Sequence, residues 1–418
     1  MSTFNIALLT VGGVVLLVGL FSEPLKRSIL SVPLVCLSAG VLLGPAALGV
    51  LDPADWGDRA TILEQAARLT IAVSLMGIAL RLPSGYPLRR WRSLAVLLGP
   101  VMVLMWLASG LLAFFVLGVS FWAAMLIGAV VTPTDPVVSS TIVQGDLAEK
   151  NLPARMRHLL SGESGANDGL AYPLVFLSIL MLQHPPGEAL RDWLVRVLLW
   201  EVGAAIVLGA LMGYGAGKLL EFAQSRGYVT QPSYLAYTLA LSLAVLGSTR
   251  LLGTDGILAV FAAGVALNIA VETDDATQEE RMQEAVNRFF VLPVFVLLGL
   301  ALPWGEWADL GWKGPVLAAL ILLLRRLPWM LALTPLIPRA GGTRDGLFLG
   351  WFGPIGVAAL FYATLAEQEA GLHEAWVVGS LVISASVLVH GVSAAPLTRL
   401  YGRRVSGAAD EDAGAGGR

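Results

Sequence analysis

The chain has 418 residues, of which 56% are hydrophobic and only 14% are charged, and its formal net charge is −3. Soluble proteins carry roughly 25% charged residues, and a single soluble fold of this length could not bury so much apolar surface. The composition therefore indicates a polytopic membrane protein. The sequence has no basic block, which argues against nucleic acid as a partner, and one cysteine with four scattered histidines gives no metal-ligand spacing.

Apolar runs that are long enough to cross a bilayer recur along the whole chain. A bilayer-spanning helix needs about 20 mostly apolar residues, so we predict an all-α fold with about 13 transmembrane helices. The predicted spans are 4–21, 28–48, 60–80, 93–117, 121–143, 157–182, 193–217, 233–249, 253–271, 288–303, 313–337, 345–366 and 374–398.

The distribution of basic residues predicts how these spans are oriented. With the N-terminus outside, 19 of the 27 basic residues fall on the cytoplasmic side and five on the outer side, as the positive-inside rule requires. We therefore predict an N-out, C-in topology. Residues 1–401 would form one transmembrane domain, with a short polar connector at 272–287, and residues 402–418 a disordered cytoplasmic tail.

The fifth span combines a carboxylate with two prolines. Pro133 and Pro136 flank Asp135, and each proline removes a backbone donor and disrupts the helix. Freed carbonyls and the hydroxyls of Thr132 and Thr134 would then surround the carboxylate. Broken backbone at this depth occurs only where it is buried in protein or lines a cavity. We predict a broken helix with Asp135 inside the membrane; the alternative is a proline kink with Asp135 in a loop.

The sixth span begins with a polar stripe. Ser164 and Asp168 are four residues apart, as are Glu163 and Asn167, so each pair lies on nearly one helix face. The apolar part that follows is too short to cross alone, so we expect the polar half to enter the membrane. Its oxygens are hard ligands that suit a small alkali cation. The alternative is a helix N-terminus at the water interface, where the dipole favours acidic residues.

Two arginines lie near the middle of the eleventh span. Arginine does not deprotonate, so a buried guanidinium needs a carboxylate partner. We predict that either Arg325 or Arg326 pairs with Glu163, and the role of the other stays open. The alternative is that one or both arginines extend along a cavity wall.

The twelfth span carries a second helix break, this one without a carboxylate. It is formed by Gly350, Gly353, Pro354 and Gly356. If six spans form each of two repeats, with the seventh span between them, the fifth and twelfth spans hold corresponding positions. Two broken helices that face each other at the midplane are typical of inverted-repeat transporters.

These motifs together resemble the monovalent cation:proton antiporter-1 family of sodium/proton antiporters, over nearly the whole chain. The resemblance implies a secondary transporter rather than an enzyme, which exchanges Na⁺ for H⁺ by alternating access. Three motifs carry it: Thr134-Asp135-Pro136, Glu163-Ser164-x-x-Asn167-Asp168, and Gly-Trp-Phe-Gly-Pro-x-Gly at 350–356.

The resemblance also implies which residues bind the transported ions. Asp168 would be the carboxylate that binds either the proton or the cation, which exclude each other. Asp135, Ser164 and the backbone carbonyl of Thr134 would complete the Na⁺ site.

The remaining motif residues would orient the site and balance its charge. Asn167 would orient the broken helix, and because electrogenic relatives have a second aspartate there, it implies electroneutral exchange. Glu163 would pair with Arg326 in preference to Arg325. In one position the chain departs from the family pattern: many members have an arginine after Gly-Pro in the twelfth span, where this chain has Ile355, so the role of that arginine does not carry over.

The resemblance further implies a multi-pass homodimer in the plasma (inner) membrane that serves pH homeostasis. It implies no cofactor besides the transported alkali cation, which could be Na⁺, Li⁺ or K⁺. Other functions stay open from the residues themselves. They are a K⁺/H⁺ antiporter of the same fold, a cation channel, which would show single-channel currents without proton coupling, and an intramembrane aspartyl hydrolase built on Asp135 and Asp168.

Overall fold

The computed structural model describes residues 2–20, 30–135, 138, 145–228, 233–271, 289–338 and 342–415. Within these ranges the chain forms helices, turns and short irregular segments, and no strand. This confirms the prediction of an all-helical membrane fold. Pro136 and the predicted connector at 272–287 lie outside the described residues.

Thirteen helices of the described part overlap the predicted spans, and we number them in chain order. Short helices at Pro53–Trp56, Tyr86–Arg89, Gly145–Asn151 and Trp304–Asp309 lie between them. The thirteen are α1 Ser2–Leu20, α2 Val32–Leu43, α3 Arg59–Arg81, α4 Trp91–Leu117, α5 Phe121–Val130, α6 Ala154–Gln183, α7 Pro186–Ser225, α8 Ser233–Leu251, α9 Gly256–Ala270, α10 Phe289–Leu300, α11 Lys313–Leu336, α12 with halves Thr343–Trp351 and Val357–Ala370, and α13 His373–Ala415.

Seven helices of the described part are long and apolar enough to cross a bilayer: α3, α4, α6, α7, α8, α11 and α13. Four more, α2, α5, α9 and α10, are apolar but shorter. The count of thirteen spans and the N-out orientation stay predictions. Helix α13 includes residues 402–415, where the sequence predicts a disordered tail, and the domain boundary at 401 stays a prediction too.

The fifth span is helical over a shorter range than predicted. Helix α5 begins after Ser120, whose hydroxyl accepts a hydrogen bond from the Ala123 N–H, and it ends at Val130. Pro133 follows three residues later, and its ring prevents the next helical turn. The chain is irregular from 131 to 135, so the predicted first break is present.

Helices α11 and α12 are both interrupted. The helical pattern of α11 stops at Arg325 and Arg326 and resumes at Leu327, which the sequence analysis did not predict. Pro328 is the signal that was available, because proline disfavours helical backbone in the residue before it and cannot donate to the preceding turn. In α12, residues 352–356 leave the helical conformation, as predicted for the second break.

Packing brings the interrupted helices together in the centre of the protein. Helix α5 packs against α4, the second half of α6 (Tyr172–Gln183, the first half being Ala154–Leu170), and α13, and the second half of α12 packs against α3 and α13. The first half of α6, which carries the polar stripe, packs against α3 and α9. The broken segments and the polar stripe are therefore enclosed by helices.

Candidate functional site

The two predicted breaks touch each other through Asp135. Its backbone N–H donates to the Pro354 carbonyl at 2.7 Å. Its side-chain oxygens accept hydrogen bonds from backbone N–H groups, Oδ2 from Val357 at 2.5 Å and Oδ1 from Val138 at 3.3 Å. Val357 begins the second half of α12, so the carboxylate lies at the positive end of that helix, where a negative charge is favoured.

The close approach of the breaks requires glycine at two positions. A Cβ atom on Gly356 would lie 1.8 Å from Asp135 Oδ2, and one on Gly353 would lie 2.3 Å from Arg326 Cδ. Neither of these side chains can easily move aside, because the Asp135 carboxylate is hydrogen-bonded and the Arg326 guanidinium is ion-paired. The glycines of the second break therefore allow helix α12 to reach the first break and the arginine.

A hydrogen-bond network joins the first break to the polar stripe of α6. Asn167 Nδ2 donates to Thr134 Oγ1 at 2.6 Å, and the Thr134 N–H donates to Asn167 Oδ1 at 3.2 Å. Thr134 Oγ1 also lies 3.3 Å from Ser164 Oγ. The side chain of Asn167 thus binds both the backbone N–H and the hydroxyl of Thr134 in the break, and its orienting role stays a prediction.

Asp168 lies next to this network with part of its carboxylate unpaired. The residue is 2% exposed, and its Oδ1 atom is buried without a hydrogen-bond partner among the described residues. Asp135 is near enough to act on it electrostatically. The backbone carbonyl of Asp168 accepts a hydrogen bond of 2.6 Å from the Tyr362 hydroxyl, so the second half of α12 also holds this turn of α6.

In the structure, Glu163 and Arg326 form a bidentate ion pair. Arg326 Nη1 donates to Oε1, and Nη2 donates to Oε2 at 2.7 Å. Both side chains are 2% exposed, and Arg326 Nε donates to the Leu349 carbonyl at 2.8 Å. The pair therefore joins α6, α11 and the first half of α12.

Arg325, whose role the sequence left open, binds backbone carbonyls at both breaks. Its Nη1 lies 2.5 Å from the Val131 carbonyl, 3.0 Å from that of Thr132 and 3.1 Å from that of Pro133. Its Nη2 donates to the Gly353 carbonyl. These carbonyls follow the C-terminal ends of α5 and of the first half of α12, where the helix dipole favours a cation.

The predicted site residues thus fall into two groups. Thr134, Asp135, Ser164, Asn167 and Asp168 are brought together by the breaks, and they present the oxygens that an alkali cation prefers. The other group supports the breaks: Glu163, Arg326, Arg325, Pro133, Gly353, Pro354 and Gly356. Sequence reasoning missed Tyr362 and the carbonyl contacts of Arg325.

Two broken helices that meet beside a buried, partly unpaired carboxylate define the fold and site of a secondary transporter. A family model described as "Sodium/hydrogen exchanger, transmembrane" matches residues 12–400. The chain belongs to this family, and the resemblance drawn from its motifs is confirmed. Members of the family are transporters rather than enzymes.

Several fungal antiporters are similar to the chain. The Na(+)/H(+) antiporter 2 of Zygosaccharomyces rouxii is 34% identical over 88% of this chain and 49% of its own length. The Na(+)/H(+) antiporter of Schizosaccharomyces pombe is 33% identical over 93% of this chain and 89% of its own length. The chain spans only about half the length of several of these relatives, including the Zygosaccharomyces rouxii antiporter.

A bacterial relative and a solved structure complete the comparison. The K(+)/H(+) antiporter NhaP2 of Shewanella oneidensis is 27% identical over 70% of this chain and 50% of its own length. The structure of the sodium proton antiporter MjNhaP1 from Methanocaldococcus jannaschii has a TM-score of 0.75 and 17% identity, and covers 96% of this chain and 98% of that one. This likeness shows that the two chains share a fold.

Proposed function

We propose that the protein is an electroneutral Na⁺/H⁺ antiporter that binds the two ions in turn at Asp168. The observation that carries the proposal is the buried Oδ1 atom of Asp168, which has no partner among the described residues. A buried carboxylate needs compensation, and either a proton or a cation supplies it. The family membership and the names of the fungal relatives agree with this choice of ions.

Exchange follows from competition for one site. When Asp168 is ionised, its oxygens and those of Ser164, Thr134 and Asp135 attract a cation. When Asp168 is protonated, the carboxyl is neutral and the cation has lost its strongest ligand. If the site opens alternately to the two sides of the membrane, each passage carries one ion and the return passage carries the other.

The charge count of the site supports exchange without net charge movement. Asn167 occupies the position next to Asp168, and its amide is used in two hydrogen bonds to Thr134. Glu163 is fully engaged by Arg326. One carboxylate would then change its state in each half-cycle, so one proton would exchange for one monovalent cation.

Proton flux in proteoliposomes tests the proposal. The purified protein is reconstituted around a pH-sensitive dye, and Na⁺, Li⁺ or K⁺ is added outside, with the membrane potential either clamped to zero or set by a potassium diffusion gradient. We expect Na⁺-driven proton release that the potential does not change. A rate that follows the potential would contradict electroneutrality, and ionic current without proton movement would indicate a channel.

A K⁺/H⁺ antiporter is the second candidate, because the NhaP2 relatives carry that name. It differs from the first candidate only in the preferred cation. Flux that is faster with K⁺ than with Na⁺ at equal concentration would decide for it.

We also propose an inner-membrane homodimer with a cytoplasmic C-terminus. The excess of basic residues on one side supports this orientation. Cys36, the single cysteine, is buried, and Arg403 is exposed, so an Arg403→Cys variant offers one accessible thiol for a membrane-impermeant maleimide. Labelling in inside-out vesicles alone is the expected result, and light scattering of the purified protein tests the dimer.

A further inference from the structure

Two polar side chains of α13 reach the break in α12. Ser386 and His390 are one helical turn apart and buried, with 0% and 3% of their surface exposed. The Ile355 N–H donates to Ser386 Oγ at 2.7 Å, and Ser386 Oγ lies 3.0 Å from His390 Nδ1. His390 Nε2 lies 3.0 Å from the carbonyl oxygen of Trp351. Trp351 ends the first half of α12, so this chain of hydrogen bonds crosses the break.

The partners of His390 determine which nitrogen carries the proton. The Trp351 carbonyl only accepts, so His390 Nε2 donates to it. In a neutral imidazole Nδ1 is then an acceptor, and it accepts the Ser386 hydroxyl proton, which leaves Ser386 Oγ to accept from Ile355. The Ser386 carbonyl oxygen, 3.1 Å from Nδ1, would be the partner of a ring protonated on Nδ1. The neutral ring protonated on Nε2 satisfies every group in the chain of hydrogen bonds.

The break needs these partners because its backbone groups cannot turn to water inside a bilayer. On either side of Ile355 the backbone binds Asp135, through the Pro354 carbonyl and the Val357 N–H. The N–H of Ile355 itself points to α13 and is held by Ser386. The residue between the two contacts of Asp135 is therefore fixed from the opposite side.

We propose that Ser386 and His390 are positioning residues for ion exchange, which hold the second break in the geometry that Asp135 requires. They do not touch the transported ion. They act through Ile355 and Trp351, and they make the broken part of α12 and the middle of α13 move as one body. This inference rests on the proposed function, because it assigns the pair a role in cation binding by the same site.

Serine variants of α13 test the positioning role. In Ser386→Ala the Ile355 N–H loses its acceptor, so we expect the apparent KM for the driving cation to rise about tenfold, as loss of one buried hydrogen bond implies. The maximal rate per folded transporter should change less than twofold. Ser384→Ala is the matched control, because Ser384 Oγ donates to the Ser380 carbonyl within α13, and its KM should equal that of the unmodified protein.

Variants of His390 test whether its hydrogen bond to the Trp351 carbonyl contributes to the KM. Glutamine can donate to the Trp351 carbonyl as His390 Nε2 does, whereas alanine cannot. We therefore expect His390→Gln to retain a KM closer to that of the unmodified protein than His390→Ala. If His390→Ala fails to fold, as judged by its elution profile in detergent, the serine variants decide alone.

Amide hydrogen exchange of the peptide that contains Ile355 supplies a readout independent of transport. Faster exchange together with a higher KM in Ser386→Ala, and neither in Ser384→Ala, supports the proposal. Faster exchange with an unchanged KM would show that the pair only stabilises the fold, and unchanged exchange would show that it does not hold the break; either result overturns the positioning role. Absence of cation-driven flux in the unmodified protein would instead contradict the proposed function.

Discussion

Two carboxylates on helix α6, five residues apart, are equally buried but differently satisfied. Glu163 and Asp168 are each 2% exposed. Both oxygens of Glu163 accept hydrogen bonds from Arg326, whereas Asp168 has one buried oxygen without a partner among the described residues. Burial therefore does not separate these two carboxylates, whereas the state of their hydrogen-bond partners does.

Glu163 and Asp168 differ because the partner that compensates one charge is permanent, whereas the partner of the other is exchangeable. The partner of Glu163 is a guanidinium, which stays charged and belongs to the protein, so the pair is permanent. In the proposed exchange, the compensation of Asp168 comes from outside the chain, as a proton or a cation. On this proposal, the permanent partner of Glu163 stabilises the fold, and the exchangeable partner of Asp168 allows transport. Substitutions at the two positions should therefore fail in different ways.

The largest effect is expected for Asp168→Asn. A carboxamide neither binds a transported proton nor carries the charge that attracts a cation, so cation-driven proton flux should fall to that of protein-free liposomes. The melting temperature in detergent should not fall, because the substitution removes a buried charge. Any residual proton-coupled flux in a folded variant would contradict the assignment of Asp168.

For Glu163→Ala the loss should appear first in stability. Removing one partner of a buried ion pair leaves an unpaired charge and costs about 3–5 kcal/mol, which thermal or denaturant unfolding of the purified protein measures. The double variant Glu163→Ala, Arg326→Ala is the control and should recover part of this loss, since it leaves no lone charge. A single variant as stable as the unmodified protein would show that the pair is not structural.

The difference between the two carboxylates could be predicted in part from the sequence. A mid-membrane arginine always needs compensation, which made a pair with Glu163 predictable. Pro133 and Gly353 predicted the two helix breaks. The motifs alone left the paired arginine open, and only the family resemblance favoured Arg326; in the structure, the interruption of α11 turns Arg325 toward the carbonyls of the breaks. Contacts of that kind depend on which helices are neighbours, and no local pattern encodes them.

The contacts of the polar side chains of α13 could not be predicted from the sequence either. Ser386 and His390 lie in an apolar span with no break, no repeated spacing and no charge, so no sequence pattern separates them from ordinary buried polar residues. Their connection to Ile355 and Trp351 exists only because the chain brings α13 against α12 at its break. Tyr362 was missed for the same reason.

Asp135→Asn tests whether Asp135, the third buried carboxylate, takes part in cation binding or has a structural role. An asparagine oxygen can still accept from the Val357 N–H, so the fold should be retained. The charge near Asp168 is lost, and the loss of a charged interaction of about 1.5–3 kcal/mol should raise the apparent KM about ten- to a hundredfold, measured as dye-reported flux against Na⁺ concentration. An unchanged KM would place Asp135 with Glu163, as a structural residue that caps α12.

The smallest effect is expected for Ser164→Ala, which removes a neutral oxygen beside Asp168. One uncharged interaction contributes about 0.5–1.5 kcal/mol, so the KM for Na⁺ should rise about two- to tenfold while the maximal rate stays similar. Ser178→Ala is the matched control in the same helix, because Ser178 Oγ donates to the Leu174 carbonyl within α6. Equal KM values for the two variants would remove Ser164 from the cation site and leave exchange to the carboxylates and the backbone of the first break.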